Sequence, residues 1–293
     1  MSEAKTRTAY IEPDVSPEQF VPDHIFLYTI KGAIRCYDGN KSRTLNPGEY
    51  YLFRKNRLLR YNKEKDNTQW EKVILRLEEP FLKKFQEKHQ VKATKFKSAD
   101  AYIKLKTSTL MPDFIHSLKP YYDHGKIAGP FAEVKQEELL IILLQNQPEL
   151  AGILFDYGIP EKINLEEFMN RNYKFNVNIR RFAYLTGRSI SAFKRDFKET
   201  FNATPNRWLV QKRLKEAHFL IKKKHKKPSE IYLDLGFESL SHFSFAFKKL
   251  FGINPTELSP PPPDKPSATP VPSSEKKTRN NSHPKNPIGP RSL

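Results

Sequence analysis

Nine side chains in the C-terminal third share one chemistry. Ser191, Lys194, Arg195 and Lys198 fall in ISAFKRDFK, and Ser241, His242, Phe245, Lys248 and Lys249 fall in LSHFSFAFKKL. Ammonium groups donate to phosphate oxygens, and a guanidinium can donate two parallel hydrogen bonds to a guanine edge. Ser and His reach base edges or phosphates, while a phenylalanine makes apolar contact with a thymine methyl. The set suits a nucleic-acid duplex. Residues for covalent or metal chemistry are sparse. Cys36 is the only cysteine, so the chain forms no internal disulfide or Cys-rich zinc site. His24, His89, His116 and His124 are scattered, and no metal, cofactor or catalytic residue is expected.

The elements that must hold these nine residues are legible as helices. In LGFESLSHFSFAFKKLFG, Phe243, Phe245 and Phe247 alternate as in a half-buried strand. On a helix of 100° per residue, however, Leu240, Phe243, Phe247, Leu250 and Phe251 form one stripe. Ser241, His242, Phe245, Lys248 and Lys249 then face away. The stretch from Phe193 repeats the stretch from Phe243: Phe193, Phe197, Lys198, Phe201 and Pro205 recur 50 residues later as Phe243, Phe247, Lys248, Phe251 and Pro255. Here Ile190 joins the stripe, and Ser191, Ala192, Lys194, Arg195 and Lys198 face away. Such a period means one supersecondary unit used twice. Each copy follows a shorter helix and a glycine: Asn178 starts IRRFAYL before Gly187, and Ser229 starts EIYLDL before Gly236. The units span about 176–200 and 229–251 and read as two helix-turn-helix motifs. A helix starting at Pro205, with a stripe of Leu209, Leu214, Ala217, Leu220 and Ile221, joins them. About 18 helical residues span roughly 27 Å, enough to set two recognition helices about one duplex turn apart.

Charge agrees with this placement. The chain carries a formal net charge of +18 over 293 residues. Residues 161–258 hold 20 Lys/Arg against 10 Asp/Glu, so +10 falls on a third of the chain. Residues 1–20 read as a flexible arm. Residues 21–150 open with short β-branched and aromatic runs separated by Asp38-Gly39-Asn40 and Asn46-Pro47-Gly48, then turn helical after Pro80. This is a small antiparallel barrel or sheet followed by helices. The last helix there carries Phe131, Val134, Leu139, Ile142 and Leu143, a face for the core or for a homodimer seam. Residues 151–160 read as a linker, 161–258 as a DNA-binding domain and 259–293 as a disordered Pro/Ser/Lys-rich tail. The N-terminus lacks the apolar core of a signal peptide, and LLIILL is too short to span a bilayer. The fold class expected is α+β in two domains, cytoplasmic and away from membrane.

The Gly187 turn, Phe197-Lys198, Pro205, Trp208-Leu209, Arg213-Leu214, Ala217, Gly236-Phe237, Phe243, Phe247-Lys248-Lys249, Phe251-Gly252 and Pro255 resemble the DNA-binding domain of the AraC/XylS transcription regulators. The resemblance covers about 100 residues. It implies seven helices, two helix-turn-helix units, and sequence-specific binding to promoter DNA as an activator working with RNA polymerase. Base reading would fall on Ser191, Lys194 and Arg195, and on Ser241, His242 and Phe245. Two residues depart: Tyr232 stands where a small residue is usual, and Phe245 where a polar one is common. The N-terminal half resembles the family in outline only, a cupin-like sheet with NPGE at 46–49. It is expected to take a small-molecule or protein effector, or to dimerise. Other readings of the whole are non-specific architectural DNA binding, or DNA alkyl transfer through Cys36.

Overall fold

The computed structural model describes residues 19–63, 71–92, 100–123, 126–127 and 129–258. The tail at 259–293 and residues 1–18 of the arm lie outside the described residues, as does His124. Gln19 and Phe20, the end of the arm, are buried.

Among the described residues eleven strands are formed: β1 (Phe20–Val21), β2 (His24–Lys31), β3 (Ile34–Tyr37), β4 (Ser42–Leu45), β5 (Tyr50–Phe53), β6 (Arg57–Leu58), β7 (Arg60–Lys63), β8 (Glu71–Leu77), β9 (Tyr102–Lys104), β10 (Tyr122–Asp123) and β11 (Lys126–Ile127). Two larger sheets dominate, a four-stranded one in the order β8-β2-β5-β9 and a three-stranded one in the order β4-β3-β7. Among the described residues both stay open, and no closed barrel forms. The residues of β2 and β5 alternate between two cores. Phe26, Tyr50 and Leu52 point to one core, shared with the helices that follow the sheet. Leu27, Tyr51 and Phe53 point to another, shared with Ile34, Cys36 and Leu45 of the three-stranded sheet. A strand covered on both faces reads as a continuous apolar run, as YYLF does. The result is a helix layer, a central sheet and a second sheet.

The helix layer holds α1 (Glu79–His89), α2 (Leu110–Leu118), α3 (Gly129–Asn146) and α4 (Ala151–Leu154). Leu139, Ile142 and Leu143 of α3 are buried, but Phe131 and Val134, expected on the same face, are exposed. The segment read as a linker opens with Ala151, Ile153, Leu154 and Phe155 in this core, so the extended run begins at Asp156. The continuous apolar run LAGILF has no polar face to leave in water, and the adjoining core covers it.

His24 sits at the start of β2, 2 % exposed, its Nδ1 accepting the Lys55 N–H at 3.3 Å. Burial, with Lys55 and Arg54 adding to it, pushes its pKa down to about 3. The folded protein therefore keeps His24 neutral where the unfolded chain, titrating near 6.5, takes up a proton. Its contribution is complete above pH 6.5 and is lost as pH falls toward 3. The melting temperature is expected to fall over that window, and less steeply in His24→Asn, which cannot titrate. Equal slopes for the two proteins rule out His24 as the group responsible.

The C-terminal part is helical: α5 (Leu165–Asn172), α6 (Ile179–Leu185), α7 (Ile190–Phe201), α8 (Pro205–Lys224), α9 (Pro228–Ile231) and α10 (Leu240–Phe251). These are six helices among the described residues; where a seventh was implied, Pro255–Leu258 form a turn fastened by Glu257 to the Asn254 N–H. The first helix of the second unit begins earlier than expected. Pro228, not Ser229, takes the first helical position, since its fixed φ and missing N–H suit that place.

Candidate nucleic-acid interface

The two units keep the 50-residue register down to their caps. The Oγ of Ser189 accepts the Ala192 N–H at 3.2 Å, and the Oγ of Ser239 accepts the His242 N–H at 3.2 Å. Both recognition helices run twelve residues and end in a left-handed residue, Asn202 or Gly252. Phe193 and Phe197 are fully buried beside Phe182 in one core, and Phe243 and Phe247 beside Ile231, Leu235 and Phe237 in another. Each such ring contributes roughly 1.5–3 kcal/mol relative to exposure. Phe245 is 70 % exposed between its two buried neighbours, so the alternation belongs to a helix. Leu240 and Leu250, expected in the stripe, are more than a third exposed. Leu240 is the first residue of α10 and Leu250 the last but one, so both lie at the ends of the helix.

Ser191, Lys194, Arg195 and Lys198 on α7 are all exposed, as are Ser241, His242, Phe245, Lys248 and Lys249 on α10. Each helix thus presents its chosen residues to solvent. Arg195 is not idle: its Nη2 lies 3.2 Å from Asp196 Oδ1. Asp196 also accepts from Arg188 Nε at 3.0 Å and lies 3.7 Å from Lys162. The Arg188 hydrogen bond, with help from Arg195 and Lys162, holds the Asp196 carboxyl below the usual carboxylate range. Arg195 must leave this network to reach a base.

Turns and strut position the helices. Gly187 has φ +65°, and a Cβ there would lie 2.3 Å from the Glu161 carbonyl carbon. Gly236 has φ +84°, and a Cβ would lie 2.7 Å from the Lys174 oxygen and 2.9 Å from Arg213 Cζ. Both turns need glycine for conformation and for space. The strut α8 runs 20 residues, roughly 30 Å at 1.5 Å each. On its buried face Arg213 donates from Nε to Tyr173 O at 2.7 Å, from Nη1 to Gly236 O at 2.9 Å and from Nη2 to Phe175 O at 2.8 Å. Burial pushes its pKa down to about 10, so it stays charged at neutral pH. One guanidinium thereby ties the strut to the second turn and to the loop after α5. Its role was missed in sequence. The available signal was a cation at the buried spacing Leu209-Arg213-Ala217.

The sheet also touches both units. Arg60 donates to Asp234 O at 2.8 Å and pairs with its carboxylate at 3.2 Å, beside the second turn. Arg181 of α6 lies 3.8 Å above the Phe20 ring, and Gln19 Oε1 accepts the Asn176 N–H at 2.7 Å. Phe20 and Leu58 belong to the same core as Phe182 and Phe193. Elsewhere, Cys36 is buried and its thiol is pushed up to about 12, chiefly by burial. A thiol so protonated is a poor nucleophile, against the alkyl-transfer reading. Among the described residues, no three His, Cys, Asp or Glu gather as a metal site, and no helix is long and apolar enough to cross a membrane.

A sheet-rich domain followed by two helix-turn-helix units on a common strut defines a two-domain helix-turn-helix protein. Residues 24–153 match the family model of the ExsA N-terminal regulatory domain, and residues 182–259 match that of a helix-turn-helix domain. The chain belongs to the AraC/XylS family of transcription regulators. It is 25 % identical over 153 residues to the virulence regulon transcriptional activator VirF of Yersinia enterocolitica, covering 51 % of this chain and 56 % of that one. It thus spans little more than half the length of that relative. With the HTH-type transcriptional regulator ExsA of Pseudomonas aeruginosa it shares 23 % identity over 233 residues, 78 % of this chain and 82 % of the other. Among solved structures, ToxT from Vibrio cholerae O395 aligns over 81 % of this chain and 88 % of its own, with 14 % identity and a TM-score of 0.31.

Proposed function

We propose that this chain is a sequence-specific DNA-binding transcription regulator and an activator, which places α7 and α10 in adjacent major grooves of promoter DNA. The observation that carries the reading is the pair of equally capped recognition helices, each turning polar or cationic residues outward, at opposite ends of one strut. Ser191, Lys194 and Arg195 read bases in one half-site, and Ser241, His242 and Phe245 in the other. Lys198, Lys248 and Lys249, nearer the helix ends, hold phosphates. RNA polymerase is the partner that an activator must meet. The sheet, in contact with both units, is where a small-molecule or protein signal would bear on them. The exposed Phe131 and Val134 of α3 offer a face to a second copy of the chain. The protein works where the chromosome is, in the bacterial cytoplasm.

Three substitutions in the full chain test the assignment, on a duplex selected from a random pool by the parent. Arg195→Ala relaxes preference at one half-site, by about 1–3 kcal/mol at a guanine. Phe245→Ala relaxes preference at a thymine step of the other half-site and leaves the salt dependence unchanged. Lys248→Ala weakens binding to all duplexes alike and lowers the slope of log K on log salt by about one contact. Equal affinity for selected and random duplexes at fixed salt would instead favour the architectural reading.

A further inference from the structure

The six residues between strut and second unit read Lys222-Lys223-Lys224-His225-Lys226-Lys227, and all six are exposed. Among the described residues, none of the five ammonium groups is paired with a carboxylate. The nearest acid in sequence, Glu230, is engaged elsewhere: its Oε2 accepts the Lys227 backbone N–H at 3.3 Å. Three of the lysines lie in the last turn of α8, where the negative end of the helix dipole suits cations. That explanation stops at His225, which ends the helix with φ 52°, yet Lys226 and Lys227 continue the run. Five like charges in six residues repel one another, and a polyanion relieves that repulsion.

Position identifies the polyanion. The backbone of this run is fixed at both ends, by the Lys226 N–H on Leu220 O at 3.2 Å and by the Lys227 N–H on Glu230. It leads directly into α9, the first helix of the second unit. In a helix-turn-helix motif this first helix crosses the DNA backbone while the second enters the groove. The first unit is less basic there: the six residues before Ile179 hold one cation, Lys174, which is paired with Glu216 at 3.1 Å, and of the two arginines that open α6 Arg181 is stacked on Phe20 while Arg180 is exposed. The units also differ on their recognition helices, where Arg195 in the first corresponds to Phe245 in the second.

We propose that residues 222–227 form a phosphate clamp on the DNA backbone beside the groove entered by α10, which adds sequence-independent affinity to the base contacts of the second unit. This rests on the DNA-binding reading given above. The test uses the full chain and two variants, Lys222→Gln/Lys223→Gln/Lys224→Gln and Lys226→Gln/Lys227→Gln. Each replaces exposed side chains, and glutamine keeps the helix. Affinity is measured against KCl concentration on a duplex selected by the parent and on an unselected duplex of the same length. The slope of log K on log salt is expected to shrink by about 2–3 for the triple variant and about 2 for the double, with equal loss on both duplexes. Unchanged slopes overturn the clamp. So does a loss confined to the selected duplex, which means base readout. Unchanged DNA binding with lost activation in purified transcription also overturns it, and assigns the run to an acidic face of a protein. A parent chain that binds neither duplex at low salt removes the DNA-binding reading itself, and the clamp with it.

Discussion

Arg213→Met is expected to destabilise the protein by about 3 kcal/mol, lowering its melting temperature by roughly 6–12 °C. Methionine fills much of the same volume, so the change isolates the hydrogen bonds. It leaves the carbonyls of Tyr173, Phe175 and Gly236 facing a side chain with no donor. An acceptor stranded in the interior costs about 1–3 kcal/mol. Against this, the variant no longer buries a guanidinium that has no carboxylate beside it, which returns part of the loss. The three acceptors win because all are bonded at 2.9 Å or less and belong to two segments that Arg213 holds at once. Arg213→Lys recovers little, since one ammonium cannot reproduce the planar fork. DNA affinity should fall with stability in both, because the second turn hangs on this side chain. A melting temperature in Arg213→Met within a degree or two of the parent would show that water replaces the guanidinium without loss.

The second large effect is expected at Gly187. In Gly187→Ala the new methyl meets backbone atoms of Glu161 and Lys162 at 2.3–2.5 Å, and the residue must also hold φ +65°. Left-handed backbone costs a side chain of order 1–2 kcal/mol, and the clash adds to it because peptide atoms cannot rotate aside. The total should be about 3 kcal/mol or more, and α7 should tilt away from its place. Gly252→Ala is the control. It has φ +79° but nothing within 4 Å of the added carbon, so it carries the conformational term alone, about 1 kcal/mol. Melting curves of the two variants decide the matter. Equal shifts mean that the contact with residues 161–162 yields easily, and that the first turn is constrained by its φ alone.

Local spacing was enough for the recognition helices. Phe193, Phe197, Phe243 and Phe247 recur at helical intervals, Ser189 and Ser239 are cap residues, and the faces they leave outward follow from 3.6 residues per turn. The strut was legible for the same reason, from Pro205 and its apolar stripe. The N-terminal sheet was readable as strands and turns, but not as two open sheets. Periodicity gives the faces of a strand and does not say what covers them. It took the packed core to show Phe26 and Leu27 buried on opposite sides of β2, and Phe131 and Val134 left outside.

What the amino-acid sequence determined by itself is therefore whatever depends on neighbours within one or two turns of chain: the duplicated unit, its caps, and the residues it turns outward. Tertiary structure alone decided the partners of long polar side chains. Arg213 reaches carbonyls 23–40 residues away, and Arg60 reaches Asp234 across 174. An arginine in a sequence is equally suited to solvent, phosphate or a buried carbonyl, since its five N–H groups donate to any oxygen in reach. Which oxygen it finds is set by how the elements dock. The same holds for Gly187, whose turn could be read from its flanking helices but whose contact with residues 161–162 could not.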